Sequence, residues 1–242
     1  WALLLKNFWG VGKGIGTKVE NYFWLNCMGK ISTGTIAGLF TGLPSYFVLP
    51  LAPKLTKKFG LRTLGAGSYI FCGVSYLVMW LIGYNPTGNK LIDTVWIIFA
   101  LTVCGSLNSI QRYCSTALKG DVYDYVEWKS GIRNEGTITA AMGYITLLSN
   151  QVATVLSGLV INALHYKPLL NANGVIIPQT NSKMLSGIWM IFALAPAIGR
   201  IMEGVSVLLF NVHGKTRDTM MYELAKIRAA KVIDTQAAPE KT

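Results

Sequence analysis

Residues 31 to 53, ISTGTIAGLFTGLPSYFVLPLAP, and residues 63 to 84, TLGAGSYIFCGVSYLVMWLIGY, carry no formal charge. Each supplies the ~20 residues with which a helix rising ~1.5 Å per residue crosses about 30 Å of hydrocarbon. The rest of the chain agrees, because 52% of it is apolar and only 14% charged, against roughly 25% charged in soluble domains. Four further segments have the same character: 2 to 27, 91 to 114, 136 to 165 and 185 to 211. The expected fold is an all-α membrane protein, a six-transmembrane-helix bundle over residues 1–211 followed by a basic tail over 212–242. Residues 136 to 166 form a run without formal charge that is longer than one perpendicular span, which predicts tilt or an extension beyond the bilayer.

Lysine and arginine in the short connections set orientation, since the cytoplasmic side holds the excess. The connections after the second and fourth spans and the tail together hold thirteen, among them Lys54, Lys57, Lys58, Arg62 and Lys119. The opposite connections hold Lys30, Lys90, Lys167 and Lys183. Both ends are therefore expected on the cytoplasmic face of a cell membrane. The net charge of +11 then needs no nucleic acid partner, because the asymmetry of the loops accounts for it. The tail reads as a basic amphipathic helix with Met221, Leu224 and Ile227 at helical spacing, suited to an anionic lipid surface.

Catalytic and metal chemistry find little support. Cys27, Cys72, Cys104 and Cys114 lie in or beside apolar spans, without paired spacing or nearby histidines, and read as small packing residues. His165 and His213 lie at opposite ends of helical segments. Gly10, Gly12, Gly14 and Gly16 form two overlapping GxxxG pairs, which point to close helix packing. Ile15 stands where a dinucleotide-binding loop needs glycine. Neither a metal nor an organic cofactor is expected.

Three stretches together resemble one family. "LAPKLTKKFGLRT", residues 51 to 63, is similar to the degenerate second copy of the basic G-x-L-x-D-R-x-G-R-K turn of the major facilitator superfamily. In "GDVYDYVEWKSGIRNEG", residues 120 to 136, the pattern Asp121, Asp124, Tyr125, Glu127, Trp128, Lys129, Arg133, Glu135 resembles the signature between the tenth and eleventh helices of the glycoside-pentoside-hexuronide:cation symporters. "FNVHGKTRDTMMYELAKIR", residues 210 to 228, resembles that family's ending. The resemblance implies the C-terminal half of a twelve-helix major facilitator fold. With Trp1 opening inside an apolar segment, the sequence reads as a piece of a longer chain. The implied partners are membrane lipid, an N-terminal six-helix half and a small sugar-like substrate. The implied coupling ion is Na+ or H+, held mainly by carboxylates of the other half.

Ionisable groups at membrane depth are costly and mark functional hypotheses. At about 100° per residue, Lys6, Lys13, Thr17 and Glu20 share one stripe of the first span. Lys13, near its middle, is expected to line the cavity or to be satisfied by a neighbouring carboxylate. Arg112 stands where the resemblance places a sugar-stacking aromatic ring, and its forked donors suit carboxylate; the alternative is snorkelling to headgroups. Thr146 and Asn150, one turn apart in the fifth span, offer hydrogen bonds either to sugar hydroxyls or to a neighbouring helix. Leu147 departs from the family, standing where well-known sugar symporters carry a lysine. Arg200 and Glu203, three residues apart, are expected to form a local ion pair, on a last span that the resemblance implies is peripheral.

The expected function is cation-coupled symport of a sugar, glycoside or hexuronide by alternating access. The two charges Lys13 and Arg112 tilt it toward an anionic sugar such as a uronide. The acids at Asp121, Asp124 and Glu127, with Trp128, Lys129, Arg133 and Glu135, are expected to gate the cytoplasmic side against basic residues of the other half, or else to form local pairs in a solvated loop. A polytopic membrane enzyme, and a membrane scaffold or sensor on the same fold, are the alternatives.

Overall fold

The computed structural model describes residues 1–172 and 176–237. Nine α-helices are present among the described residues: α1 (Ala2–Asn26), α2 (Ile31–Val48), α3 (Ala52–Phe59), α4 (Leu61–Ile82), α5 (Lys90–Gly105), α6 (Asn108–Ser130), α7 (Glu135–Ala163), α8 (Ser182–Leu208) and α9 (Lys215–Ala237). Between α7 and α8 a minimal antiparallel ribbon pairs β1 (Leu169–Leu170) with β2 (Ile176–Ile177). Five helical segments, 31–59, 61–82, 90–130, 135–163 and 182–208, are long and apolar enough to cross a membrane. The first helix is as long as these, with 25 residues, but carries Lys6, Lys13, Lys18 and Glu20.

Proline and glycine shape the ends. Pro44 lies inside α2, which passes through a 3-10 turn at Leu49–Leu51 into α3, where Pro53 lies in the first turn. Proline fits there because first-turn amides need no intrahelical acceptor. Gly60, at φ 79°, reverses the chain into α4, a left-handed backbone conformation that disfavours side chains. Lys57 and Lys58 in the last turn of α3 complement the negative end of its dipole.

The fourth predicted span is two helices. α5 and α6 are separated at Ser106–Leu107, and α6 then runs unbroken to Ser130, closing on Gly131 at φ 72°. The acidic stretch is thus mostly helix: Asp121, Asp124 and Glu127 lie on its last three turns, and only residues 131–134 separate it from α7.

The last apolar helix, expected at the periphery, is instead the packing centre of the bundle, with α1 and α4 laid against it. α7 leans on α1, and α2 on α5. Lipid provides no hydrophobic drive for such contacts, so they depend on close approach and interhelical hydrogen bonds. Gly12 of α1 and Gly199 of α8 supply the approach, since a Cβ on Gly12 would lie 2.7 Å from the Gly199 Cα. One turn on, Gly16 is filled by Pro196, whose Cγ would lie 2.4 Å from an added Cβ. The glycine-rich run thus serves two partners, because Gly14 is set against Ala153 of α7. Beyond the crossing, Phe23 stacks on Phe192 at 4.3 Å, with Trp24, Ile188 and Trp189 completing a buried cluster.

Candidate functional site

The α1–α8 crossing sets Lys13 beside a cavity of about 170 Å³ that Arg200 also lines. Thr17 and Glu20 of α1, Tyr76 of α4 and Asn108 of α6 share its wall. Three members of the predicted stripe, Lys13, Thr17 and Glu20, therefore come together. The fourth, Lys6, is buried; its ammonium donates to Ser115 Oγ at 2.7 Å and to Asn7 Oδ1 at 3.4 Å. By contrast the Lys13 ammonium makes no hydrogen bond or ion pair among the described residues. Glu20 accepts from Trp24 Nε1 at 3.4 Å.

Arg200 is only 6% exposed. Its Nη1 donates to Glu203 Oε2 at 2.9 Å and its Nη2 to Asn108 Oδ1 at 3.5 Å. Its guanidinium carbon lies 5.6 Å from the centre of the Tyr69 ring, within cation–π range. Its Nε is buried without a partner. The expected local ion pair is present, but it faces the interior of the bundle rather than its edge.

Arg112 lies elsewhere. It lines a second cavity of about 600 Å³ between α2 and α6, with Ser45, Tyr46, Ser109 and Tyr113. Asn108 borders both cavities. Thr146 and Asn150 line neither. Both are exposed on α7, where the Thr146 hydroxyl donates to the Met142 carbonyl at 2.9 Å and the Asn150 carbonyl accepts from Thr154 at 2.9 Å. Leu147 is 63% exposed on the same helix.

The acidic turns of α6 are clasped by α9. Asp121, nearly fully buried, accepts from Arg217 Nε at 2.9 and 3.0 Å. Asp124 accepts from Arg228 Nη2 at 2.7 Å, and Glu127 pairs with the same guanidinium. Arg133 reaches Glu127 at 3.4 Å and Asp124 at 3.7 Å, and pairs with Glu135. Trp128 donates through Nε1 to Glu223 of α9 at 2.5 Å, and the Lys129 ammonium lies 4.0 Å from the Trp128 ring centre. Hydrogen bonds to Glu127 and Asp124 hold the Arg228 guanidinium above its ordinary pKa, and Glu135 does the same for Arg133. The helix is seated by Met220 and Leu224, both buried, whereas Met221 faces outward.

Sequence reasoning missed the place of Arg200 and the role of Asn108 as a shared wall. One signal was available for Arg200: on both α1 and α8 a cation directly follows the glycine of the crossing, Gly12–Lys13 and Gly199–Arg200. Small residues that let two backbones touch also bring their neighbours together. Asn108 owes its position to the interruption between α5 and α6, for which the signal was the turn-forming cluster Gly105, Ser106, Asn108, Ser109.

The chain is similar in sequence to known transporters. A putative sulfoquinovose importer of Salmonella typhimurium is 25% identical over 192 residues, covering 79% of this chain and 35% of the relative. An isoprimeverose transporter of Lactiplantibacillus pentosus is 23% identical over 225 residues, 92% of this chain and 43% of the relative. A raffinose carrier protein of Pediococcus pentosaceus is 26% identical over 136 residues, 56% of this chain and 20% of the relative. The chain thus spans less than half the length of these relatives. They are transporters rather than enzymes, and the apolar helices make this a multi-pass membrane protein of all-α architecture. Residues 10–213 match the family described as MFS/sugar transport protein, so the chain belongs to that family of major facilitator sugar transporters.

Proposed function

We propose that this six-helix bundle is the C-terminal half of a cation-coupled symporter that moves a sugar, glycoside or hexuronide across the cell membrane by alternating access. The observation that carries the reading is the polar cavity of Lys13, Glu20, Asn108 and Arg200 inside an otherwise apolar bundle. Ionisable side chains kept at membrane depth are costly unless they face a pathway or one another. Relatives named for sulfoquinovose, isoprimeverose and raffinose support a sugar as substrate.

In this reading Lys13, Arg112, Thr146 and Asn150 form the wall that an N-terminal six-helix half completes. The exposed faces of α2 and α7 meet that half or lipid. Na+ or H+ binds mainly on carboxylates of the other half. Both ends of the chain lie in the cytoplasm, where Asp121, Asp124 and Glu127, with Trp128, Lys129, Arg133 and Glu135, form the gate-side charge cluster. Uptake of labelled sugars into proteoliposomes by the protein carrying both halves tests the proposal. Accumulation driven by an imposed Na+ or proton gradient is the expected result; equal uptake with and without any gradient would remove the coupling.

A further inference from the structure

A third cavity, of about 580 Å³, opens between the α3–α4 turn and the start of α9. Its size falls within the ~300–1,000 Å³ of small-molecule pockets. Three cations, Lys57, Arg62 and Arg217, line it together with Asp121 and Asp218. Asp121 is committed to Arg217 Nε, whereas the Arg217 Nη groups make no hydrogen bond among the described residues. Arg62 is held by the His213 ring and the Leu208 carbonyl, neither of them an acid, so its charge is fixed in place without being neutralised. No carboxylate pairs with Lys54, Lys57, Lys58 or Arg62 among the described residues. Like charges gathered in this way repel one another, and an anion between them turns that cost into attraction.

The cavity lies where apolar spans end. α4 starts at Leu61 and α8 stops at Leu208, and beside these ends Phe59, Leu208 and Leu209 are 51%, 38% and 57% exposed. In a membrane such side chains lie against hydrocarbon, and cations next to them are at the depth of the lipid phosphates.

We propose that this cavity holds the phosphate of one anionic phospholipid, with Lys57, Arg62 and Arg217 as its cations and the acyl chains lying against Phe59, Leu208 and Leu209. The two guanidiniums come from different elements and offer forked donors suited to phosphate oxygens, while Lys57 adds a point charge on a flexible stem. A soluble phosphate presents the same oxygens but leaves the apolar flank without a partner. The lipid shares Arg217 with Asp121 and so ties the start of α9 to α4. The seat of α9 on α6 is therefore firmer in a bilayer that contains anionic lipid than in one that lacks it. The site depends neither on the transported sugar nor on the leaflet that it faces.

The experiment is native mass spectrometry of the protein carrying both halves, in detergent with phosphatidylglycerol and phosphatidylcholine in equal amounts. One phosphatidylglycerol retained in preference to phosphatidylcholine is the expected result. Lys57→Gln should weaken that preference by a factor of about five, the weight of one basic residue at an anionic surface. Lys57→Gln with Arg62→Gln should weaken it further, thermal unfolding confirming that the double variant folds. Lys90→Gln, at an exposed lysine that opens α5, should leave it unchanged. Amide hydrogen exchange of residues 215–220 should slow several-fold in phosphatidylglycerol nanodiscs relative to phosphatidylcholine ones, and lose that response in Lys57→Gln. Equal retention of the two lipids, or a loss in Lys90→Gln as large as in Lys57→Gln, overturns the site. Displacement of phosphatidylglycerol by inorganic phosphate would give the cavity to a soluble anion and overturn the lipid.

Discussion

Gly12 of α1 and Gly199 of α8 touch backbone to backbone: a Cβ on Gly12 would come within 2.3 Å of the Ala195 carbonyl oxygen, and one on Gly199 within 2.8 Å of the Gly12 Cα. No side chain could yield to relieve either contact, because the obstacles are main-chain atoms. Gly12→Ala or Gly199→Ala should therefore separate the helices and cost about 1–3 kcal/mol, the usual range for an overpacked interface. Gly143→Ala, at a helical position with nothing within 4 Å of an added Cβ, should stay within about 1 kcal/mol of the parent. Thermal unfolding of the three proteins in detergent checks this. Equal melting temperatures for Gly12→Ala and Gly143→Ala would contradict the crossing.

Arg200 and Glu203 should behave as a coupled pair. Removing one partner of a buried ion pair strands the other, a loss of about 3–5 kcal/mol, whereas removing both is far milder. A double-mutant cycle of Arg200→Gln and Glu203→Gln is expected to show a coupling of at least about 1 kcal/mol. Additive losses would mean that the two side chains do not sense each other.

The clasp between α6 and α9 is electrostatic and partly exposed, with the Arg217 and Arg228 side chains 45% and 39% accessible. Individual pairs of this kind contribute about 0–1 kcal/mol and are screened by salt. Amide hydrogen exchange of residues 215–229 should therefore quicken several-fold between low salt and about 1 M salt. Raising pH should do little. The folded pKa of Arg228 is raised, so its contribution is complete at every pH below the free value and is lost only as pH rises through the folded value. Protection is then flat from about pH 7 to about pH 10, and a fall in that interval would assign the clasp to other groups.

Asp124→Asn with Glu127→Gln should loosen the same clasp from the acidic side and, on the proposed gate, alter the balance between inward-open and outward-open states. A cysteine at Thr116, an exposed residue lining the second cavity, reports it through its rate of alkylation from the cytoplasmic face. A several-fold change in that rate is expected, and an unchanged rate with unchanged uptake would remove the gate.

The spans could be read from sequence because charge-free runs of helical length admit little else in lipid; 31–53 and 63–84 became α2 with α3 and α4. Pairing between helices could not be read this way. Hydropathy does not say which helix lies at the centre, and the peripheral place that the resemblance implies for the last span does not describe α8 within this bundle, where α1 and α4 pack against it. The interruption at Ser106–Leu107 lies in the cluster Gly105, Ser106, Asn108, Ser109, turn-forming residues whose signal is outweighed by the absence of charge when the whole run is read as one span. Asp121, Asp124 and Glu127 were visible as a charge cluster, but their partners Arg217 and Arg228 lie about a hundred residues away. Basic residues of the tail had been assigned to lipid, whose phosphates attract the same side chains.

The break between α5 and α6 has a mechanical meaning. An uninterrupted helix over residues 90–130, 41 residues long, would act as one rod and carry any tilt of its acidic end to its far end. Cut at Ser106–Leu107, it becomes two levers that share a pivot. The pivot is fastened to α2, because the Ser45 hydroxyl donates to the Gly105 carbonyl at 3.0 Å and the Ser45 carbonyl accepts from Ser109. Asn108, the first residue of the second lever, bonds Arg200 and borders both cavities. A tilt of the clasped end would therefore reach the wall between the cavities through Asn108, at a pivot where α2 holds the ends of both levers.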